Sequence, residues 1–240
     1  MNTATLFLRI STIIGGLTPH PDYTDATNQA IELLRSPDHF QWYLIPIFVL
    51  VLNVYFIEIS KKNWDLVFAG LALYSLQWFF EILNALFFHF HGTSALWTVP
   101  GVNAVTGTVN TSYLLTVGLN IEISLMFLFL GLTCARFLPE DKSKKILGIP
   151  NRLFLASFFA LLCVLIEIVL NFWNVLIWEY PWWSRSNPIL IFLLAYFPLM
   201  FFSVRVHDMA PLKKKVIVVC SMFALDVVLL IVFMGVLQWI

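Results

Sequence analysis

LVFAGLALYSLQWFFEILNALFFHF, residues 66–90, decides the fold. It carries no Lys or Arg, and only Ser75, Gln77, Glu81, Asn84 and His89 interrupt an apolar and aromatic run. About 20 such residues at 1.5 Å each cross the roughly 30 Å of a bilayer's hydrocarbon. The stretch therefore reads as a transmembrane helix. Five more fit the same measure: Tyr43–Ile59, Tyr113–Leu138, Leu153–Trp178, Pro188–Val206 and Val216–Ile240. None alternates polar and apolar residues at ten-residue spacing, which argues against a barrel. The expectation is an all-α, polytopic integral membrane bundle of six transmembrane helices. Residues 43–240 form the membrane domain, and residues 1–42 an extracytoplasmic segment or small cap.

The whole composition agrees. The chain is 60% hydrophobic and 12% charged, with a mean hydropathy of +0.86. Soluble domains carry about 25% charged residues, so water is not the main solvent. Net charge is zero and no basic block occurs, which argues against nucleic acid. Cys134, Cys163 and Cys220 lie in apolar runs without metal-type spacing and read as small core residues.

Lys61, Lys62, Arg136, Lys142, Lys144, Lys145, Arg152, Arg205, Lys213, Lys214 and Lys215 fall in the odd-numbered loops; Arg9, Arg35 and Arg185 fall on the other side. The positive-inside rule then places the odd loops in the cytoplasm and both termini outside. Tyr180, Trp182 and Trp183 sit where an outer aromatic belt belongs. Leu6–Leu17, with Arg9 inside it, is too short to span and reads as an interfacial helix. A cleaved signal is the alternative, although Pro19, His20 and Pro21 follow in place of a small-residue cleavage site. Asp25–Arg35 reads as a second short helix, capped by Asp25 or Thr27.

The informative residues are polar ones at hydrocarbon depth: Glu81, Glu122, Glu167 and Asp226. Each costs roughly 2.5–3.5 kcal/mol at a helix centre, so such residues normally face inward and serve a function. No Lys or Arg matches their depth, and buried carboxylates without a partner take up a proton. Gln77, Glu81, Asn84 and His91 share one face of the second span. Cys163, Glu167, Asn171, Asn174 and Trp178 share one face of the fourth. Two polar stripes imply a polar cavity between the second, third, fourth and sixth helices. Asn120 and Glu122, about 200° apart on a helix, cannot both face it. Asn53 and Asp226 are lone inward candidates.

A structural reading stands beside the functional one. Buried amides hydrogen-bond across spans for about 0.6 kcal/mol, and Asn53, Asn120 and Asn174 fit that role. Glu58 and Asp65, near the cytoplasmic interface, read as solvated, and Glu179 as solvated or as a cavity lip. His89 and His91 at i, i+2 point to different faces, so no metal and no cofactor are expected. His207–Asp208 is an ion pair or a turn. No nucleotide-binding or hydrolase motif appears.

Trp78-Phe79-Phe80-Glu81 on an early helix, the polar loop Ser60–Asp65 before it, Leu119-Asn120 one span later and Asp226 in ALDVV on a late helix together resemble the integral-membrane terpene cyclases. That family of small helical bundles cyclises prenylated epoxides in meroterpenoid and indole-terpenoid pathways. The resemblance implies protonation by an early Glu and a late Asp, here Glu81 and Asp226. Two Phe residues separate the Trp and Glu that are adjacent in that family. Six spans stand where it has seven, and Glu122 and Glu167 have no counterpart.

The expected function is thus an intramembrane enzyme donating a proton to a lipophilic, isoprenoid- or lipid-like substrate, as a cyclase or isomerase would. Glu81 is its acid and Glu167, Asp226 or Glu122 its second group. Gln77, Trp78, Asn84, Asn171, Asn174 and Trp178 bind or orient, and Trp173 with the other aromatics stabilises positive charge. The alternatives are a proton-coupled transporter, against which no repeat is visible, and an accessory subunit. Membrane lipid and a small lipophilic substrate are the expected partners, with a homo-oligomer possible.

Overall fold

The computed structural model describes residues 17–102, 108–109, 111 and 113–240. The interfacial helix expected over Leu6–Leu17 lies outside them, Leu17 apart. The chain is mostly helical. A short α1, Asp25–Leu33, is followed by α2, Leu44–Ser60, and α3, Trp64–His91. A hairpin of β1, Leu114–Thr116, and β2, Leu119–Asn120, leads into α4, Ile121–Arg136. A second small hairpin, β3 Lys145–Ile146 with β4 Ile149–Pro150, precedes α5, Asn151–Phe172. Two long helices complete the bundle: α6, Ile189–His207, and α7, Leu212–Val236.

Four of these helices, α3, α5, α6 and α7, are long and apolar enough to cross a membrane. The 17 residues of α2 and 16 of α4 rise only about 24–26 Å. The third span is shorter than expected because Asn120 caps its helix, its side-chain oxygen accepting from the Ile123 amide at 2.8 Å. Asn120 therefore serves backbone geometry and joins no helices. The fourth ends at Phe172, not Trp178. There the Asn171 amide donates to the Leu176 carbonyl at 2.9 Å, and Asn174 takes a left-handed turn with φ 56°. In α1 the cap is Thr24, one residue before the expected Asp25.

At the centre stands α3, which packs on α2, α4, α6 and α7, while α5 packs on α6. Lipid tails are as apolar as Leu, so helices join in a bilayer through close backbone approach and cross-helix hydrogen bonds. Both occur here. A side chain on Gly131 would meet the Gly70 backbone at 3.0 Å and Leu73 at 2.8 Å, so α3 and α4 touch nearly main chain to main chain. Ser203 donates to the Ala69 carbonyl at 2.9 Å, tying α6 to α3, and Tyr55 donates to the Leu128 carbonyl at 2.8 Å, tying α2 to α4.

The Lys/Arg-rich end is closed by ion pairs. Arg136 and Asn63 hold Glu58, which is buried and not solvated as expected, and Lys215 reaches Asp65. Asp208 accepts two hydrogen bonds from Arg152, at 2.8 and 3.0 Å, and also contacts His207 and Lys142. Partial burial opposes the charge of Asp208. Arg152, His207 and Lys142 outweigh that and hold its carboxyl well below the usual carboxylate range. At the opposite end residues 17–43 cover the loops. Arg35 takes part through its amide to Leu114 and its side chain to Leu115 and Ile240.

Candidate functional site

Glu81 sits about two-thirds of the way along α3 and is 4% exposed. One turn earlier on the same face, Gln77 donates its amide to Glu81 Oε1 at 3.1 Å. The second donor comes from outside the helix: the Trp97 indole N–H spans both carboxyl oxygens at 3.3 and 3.2 Å. Trp97 belongs to the loop after α3, and Asn84 fixes that loop. Its carbonyl oxygen accepts from the Leu96 and Trp97 amides, and its NH2 donates to the Trp97 carbonyl at 2.8 Å. Gly118, between β1 and β2, leaves room for this arrangement. A Cβ there would meet Asn84 Nδ2, and Trp97 Cδ1 and Nε1 at 2.7 and 2.8 Å.

Across a small cavity of about 40 Å³ stands Glu167 of α5. Its carboxyl accepts from the hydroxyl of Tyr196, a fully enclosed residue of α6. Residues Phe192–Tyr196 form a π-helical segment, one extra residue per turn, which re-aims Tyr196 at the cavity. Such insertions often mark functional sites. Phe80, Phe127, Trp178 and Trp183 supply the aromatic walls. The space lies between α3, α4, α5 and α6, beneath the loops that follow α3 and α5, so α6, the fifth expected span, takes the place expected of α7, the sixth. Among the described residues no Lys, Arg or His lines it.

Of the predicted residues, Glu81, Glu167, Gln77 and Trp178 meet in this cavity. Asn84 and Asn171 act one step away by fixing the loops above it. The remainder do not line it. Glu122, in the first turn of α4, accepts from Tyr43 at 2.5 Å and from Thr111 at 3.2 Å. Asp226 is buried on α7 with neither carboxyl oxygen hydrogen-bonded among the described residues. Trp78 packs edge-on to Tyr74. Asn53, Trp173 and Asn174 are exposed, and so is Cys220, which is not a core residue.

Among the described residues no group of three His, Cys, Asp or Glu side chains could hold a metal ion. His89 stacks on Trp239, and His91 bonds Thr93 and Tyr180. Glu179 accepts from Thr24 at 2.9 Å, joining the N-terminal segment to the loop after α5. Burial pushes its carboxyl up, and the Thr24 hydrogen bond opposes this.

Sequence reading missed Trp97, Gly118, Trp183 and Tyr196. Tyr196 had a signal, being the one side chain with a polar tip in Ile189–Met200. The others lie in loops whose path no helical period reveals.

Residues 24–235 match the model of an uncharacterized membrane protein family. An uncharacterized protein of Archaeoglobus fulgidus is 46% identical over 217 residues, covering 90% of this chain and 99% of its own. A second uncharacterized protein of the same organism is 34% identical over 53 residues, 22% of this chain and 95% of its own. No solved structure matches. Both the family match and the long relative take in the acid-lined cavity, and the chain belongs to this membrane protein family.

Proposed function

We propose that this protein carries out acid–base chemistry within the membrane, with Glu81 and Glu167 as its proton-exchanging pair. The observation that carries this reading is their meeting: two carboxyls from separate helices line one small cavity, each with its own neutral hydrogen-bond donor and, among the described residues, no Lys, Arg or His in its lining. Two carboxyls so placed cannot both ionise cheaply, and one proton shared between them is available for transfer. Six helices cross the membrane in this reading, with α2 and α4 spanning by local thinning or through their flanking residues. The Lys/Arg-rich end faces the cytoplasm, so the cavity and its loops lie toward the outside.

The proton acceptor is a lipophilic substrate, handled by cyclisation or isomerisation. At about 40 Å³ the cavity has no room for a hydrocarbon chain. A separate apolar groove of about 820 Å³ between α5 and α6 runs along the lipid side and has room. Its wall residues Val164 and Phe192 stand about one turn from Glu167 and Tyr196, so a chain lying there comes within one side-chain layer of the acids. Asp226, the late acid of the cyclase resemblance, lies elsewhere, and Glu167 takes the second role. The test compares lipid extracts from membranes carrying wild type, Glu81→Gln or Glu167→Gln by mass spectrometry. A product present only with wild type supports the reading. Identical lipid profiles at equal protein levels reject it.

A cavity of water-molecule size favours a second reading, proton-coupled transport, in which the same pair relays protons. Flux measured in liposomes after a pH jump separates the two.

A further inference from the structure

The hydrogen-bond count around the cavity does not close. Gln77 is 2% exposed and donates to Glu81, yet its carbonyl oxygen has no hydrogen-bond partner among the described residues. Trp183, 4% exposed, stacks on Trp97 at 6.1 Å, yet its indole N–H has no partner either. Both residues line the same space between Glu81 and Glu167. Buried polar groups in folded proteins almost always find a partner, within the chain or in ordered solvent. One orphan here is an acceptor and the other a donor.

That pairing discriminates among guests. A cation would answer the Gln77 oxygen and the carboxyls but meet the positive edge of the Trp183 N–H. An anion would answer the indole and be repelled by the carboxyls. A neutral molecule that both donates and accepts serves all of them. The size is decisive as well. The cavity offers about 40 Å³, and a water needs roughly 10–15 Å³ by this measure, together with two to four polar neighbours.

We infer that the cavity is a built site for two or three ordered waters, held by Gln77 and Trp183 and bridging the carboxyl groups of Glu81 and Glu167. The waters make one unit of the two acids. The Glu81 proton passes to a bridging water as that water gives one of its own to the Glu167 carboxylate. No net charge enters or leaves. Gln77 and Trp183 are positioning residues in this scheme, touching water and not the reacting atoms of a substrate. The inference rests on the acid-pair reading above for its purpose, but the test needs no turnover.

Infrared difference spectra of the full-length protein in lipid, recorded in H2¹⁶O and H2¹⁸O, report buried water as an isotope-sensitive O–H stretch. The wild type is expected to show such a band. Trp183→Phe, which keeps the ring and loses the N–H, should weaken or shift it, as should Gln77→Leu. The Glu81 and Glu167 carboxyl bands, assigned through Glu81→Gln and Glu167→Gln, should both move when either position variant is made. No isotope-sensitive band in wild type overturns the inference, as does a band unchanged in Trp183→Phe. If Gln77→Leu fails to fold, Trp183→Phe and the wild-type spectrum still decide. Unchanged lipid profiles in the earlier experiment, with the water band present, would remove the enzymatic reading and leave this one standing.

Discussion

Glu81 and Asp226 are both carboxyls in helices long and apolar enough to cross a membrane, and both are almost entirely buried, at 4% and 3% exposure. They differ in everything else. Glu81 belongs to the central helix, half of whose apolar stretch is buried, and accepts from Trp97 and Gln77. Asp226 belongs to the peripheral α7, of which 11% is buried, and has no hydrogen bond among the described residues. One turn before it on α7, Phe223 packs on Tyr74 of α3. Depth alone therefore does not set how a buried carboxyl is held. The donors that a fold assembles around it do.

This contrast predicts opposite signs for the same substitution. Glu81→Leu leaves the Trp97 N–H and the Gln77 amide facing an apolar side chain. At about 1–3 kcal/mol for each unsatisfied buried donor, the loss should reach roughly 2–5 kcal/mol. Asp226→Leu removes two buried oxygens that have no partners, and should gain about 1–2 kcal/mol. Unfolding titrations in mixed micelles measure both. A stabilised Glu81→Leu, or an Asp226→Leu as damaging as its counterpart, breaks the distinction.

Between those extremes lies Gly118. An alanine there pushes into Asn84 and the Trp97 indole ring, so Gly118→Ala should cost about 1–3 kcal/mol. The cause is specific, which a double-mutant cycle exposes. With Trp97 shortened to Ala the ring contact is gone and only the Asn84 contact remains, so the cost of Gly118→Ala should fall. Equal costs in both backgrounds would mean that the Asn84 contact or the hairpin, not the ring of the acid's donor, is at stake.

How far the sequence reveals this depends on which physics speaks locally. Spans are legible because hydrocarbon tolerates no long polar run, and Leu66–Phe90 lies within α3 as observed. Helix ends are less so. From sequence Asn120 reads as a buried amide between spans, and only the hairpin before it makes it a cap. Spacing by 3.6 residues joins Gln77 to Glu81 correctly. It fails for Asn174, since the helix stops at Phe172 and the period has no meaning beyond it. The period also cannot foresee the π segment that turns Tyr196 toward Glu167, because one inserted residue rotates everything after it by a fixed-period count. Trp97 and Trp183 reach the acids through loops whose course is set by tertiary hydrogen bonds such as those of Asn84. The acids and the donor one turn away, Gln77, were visible; Trp97 and Tyr196, the donors from other elements, were not.

A third carboxyl sharpens the contrast by having cations for partners. Asp208, at the Lys/Arg-rich end, is gripped by Arg152 and lies near His207 and Lys142. Its native proton affinity is therefore lowered, whereas the unfolded chain keeps an ordinary value of about 3.9. A lowered native value means that the unfolded state binds the proton first. The pairing then stabilises fully at pH above about 4 and is lost as pH falls further toward the native value. Because its side chain is 19% exposed, solvent screens the pair and the contribution should be small, about 1 kcal/mol. The stability difference between wild type and Asp208→Asn should thus stay level from about pH 7 to pH 5 and shrink below about pH 4. A difference that instead grows on acidification would mean that Asp208 is not held by cations, and that the two ends of the bundle do not differ in how they keep a carboxyl.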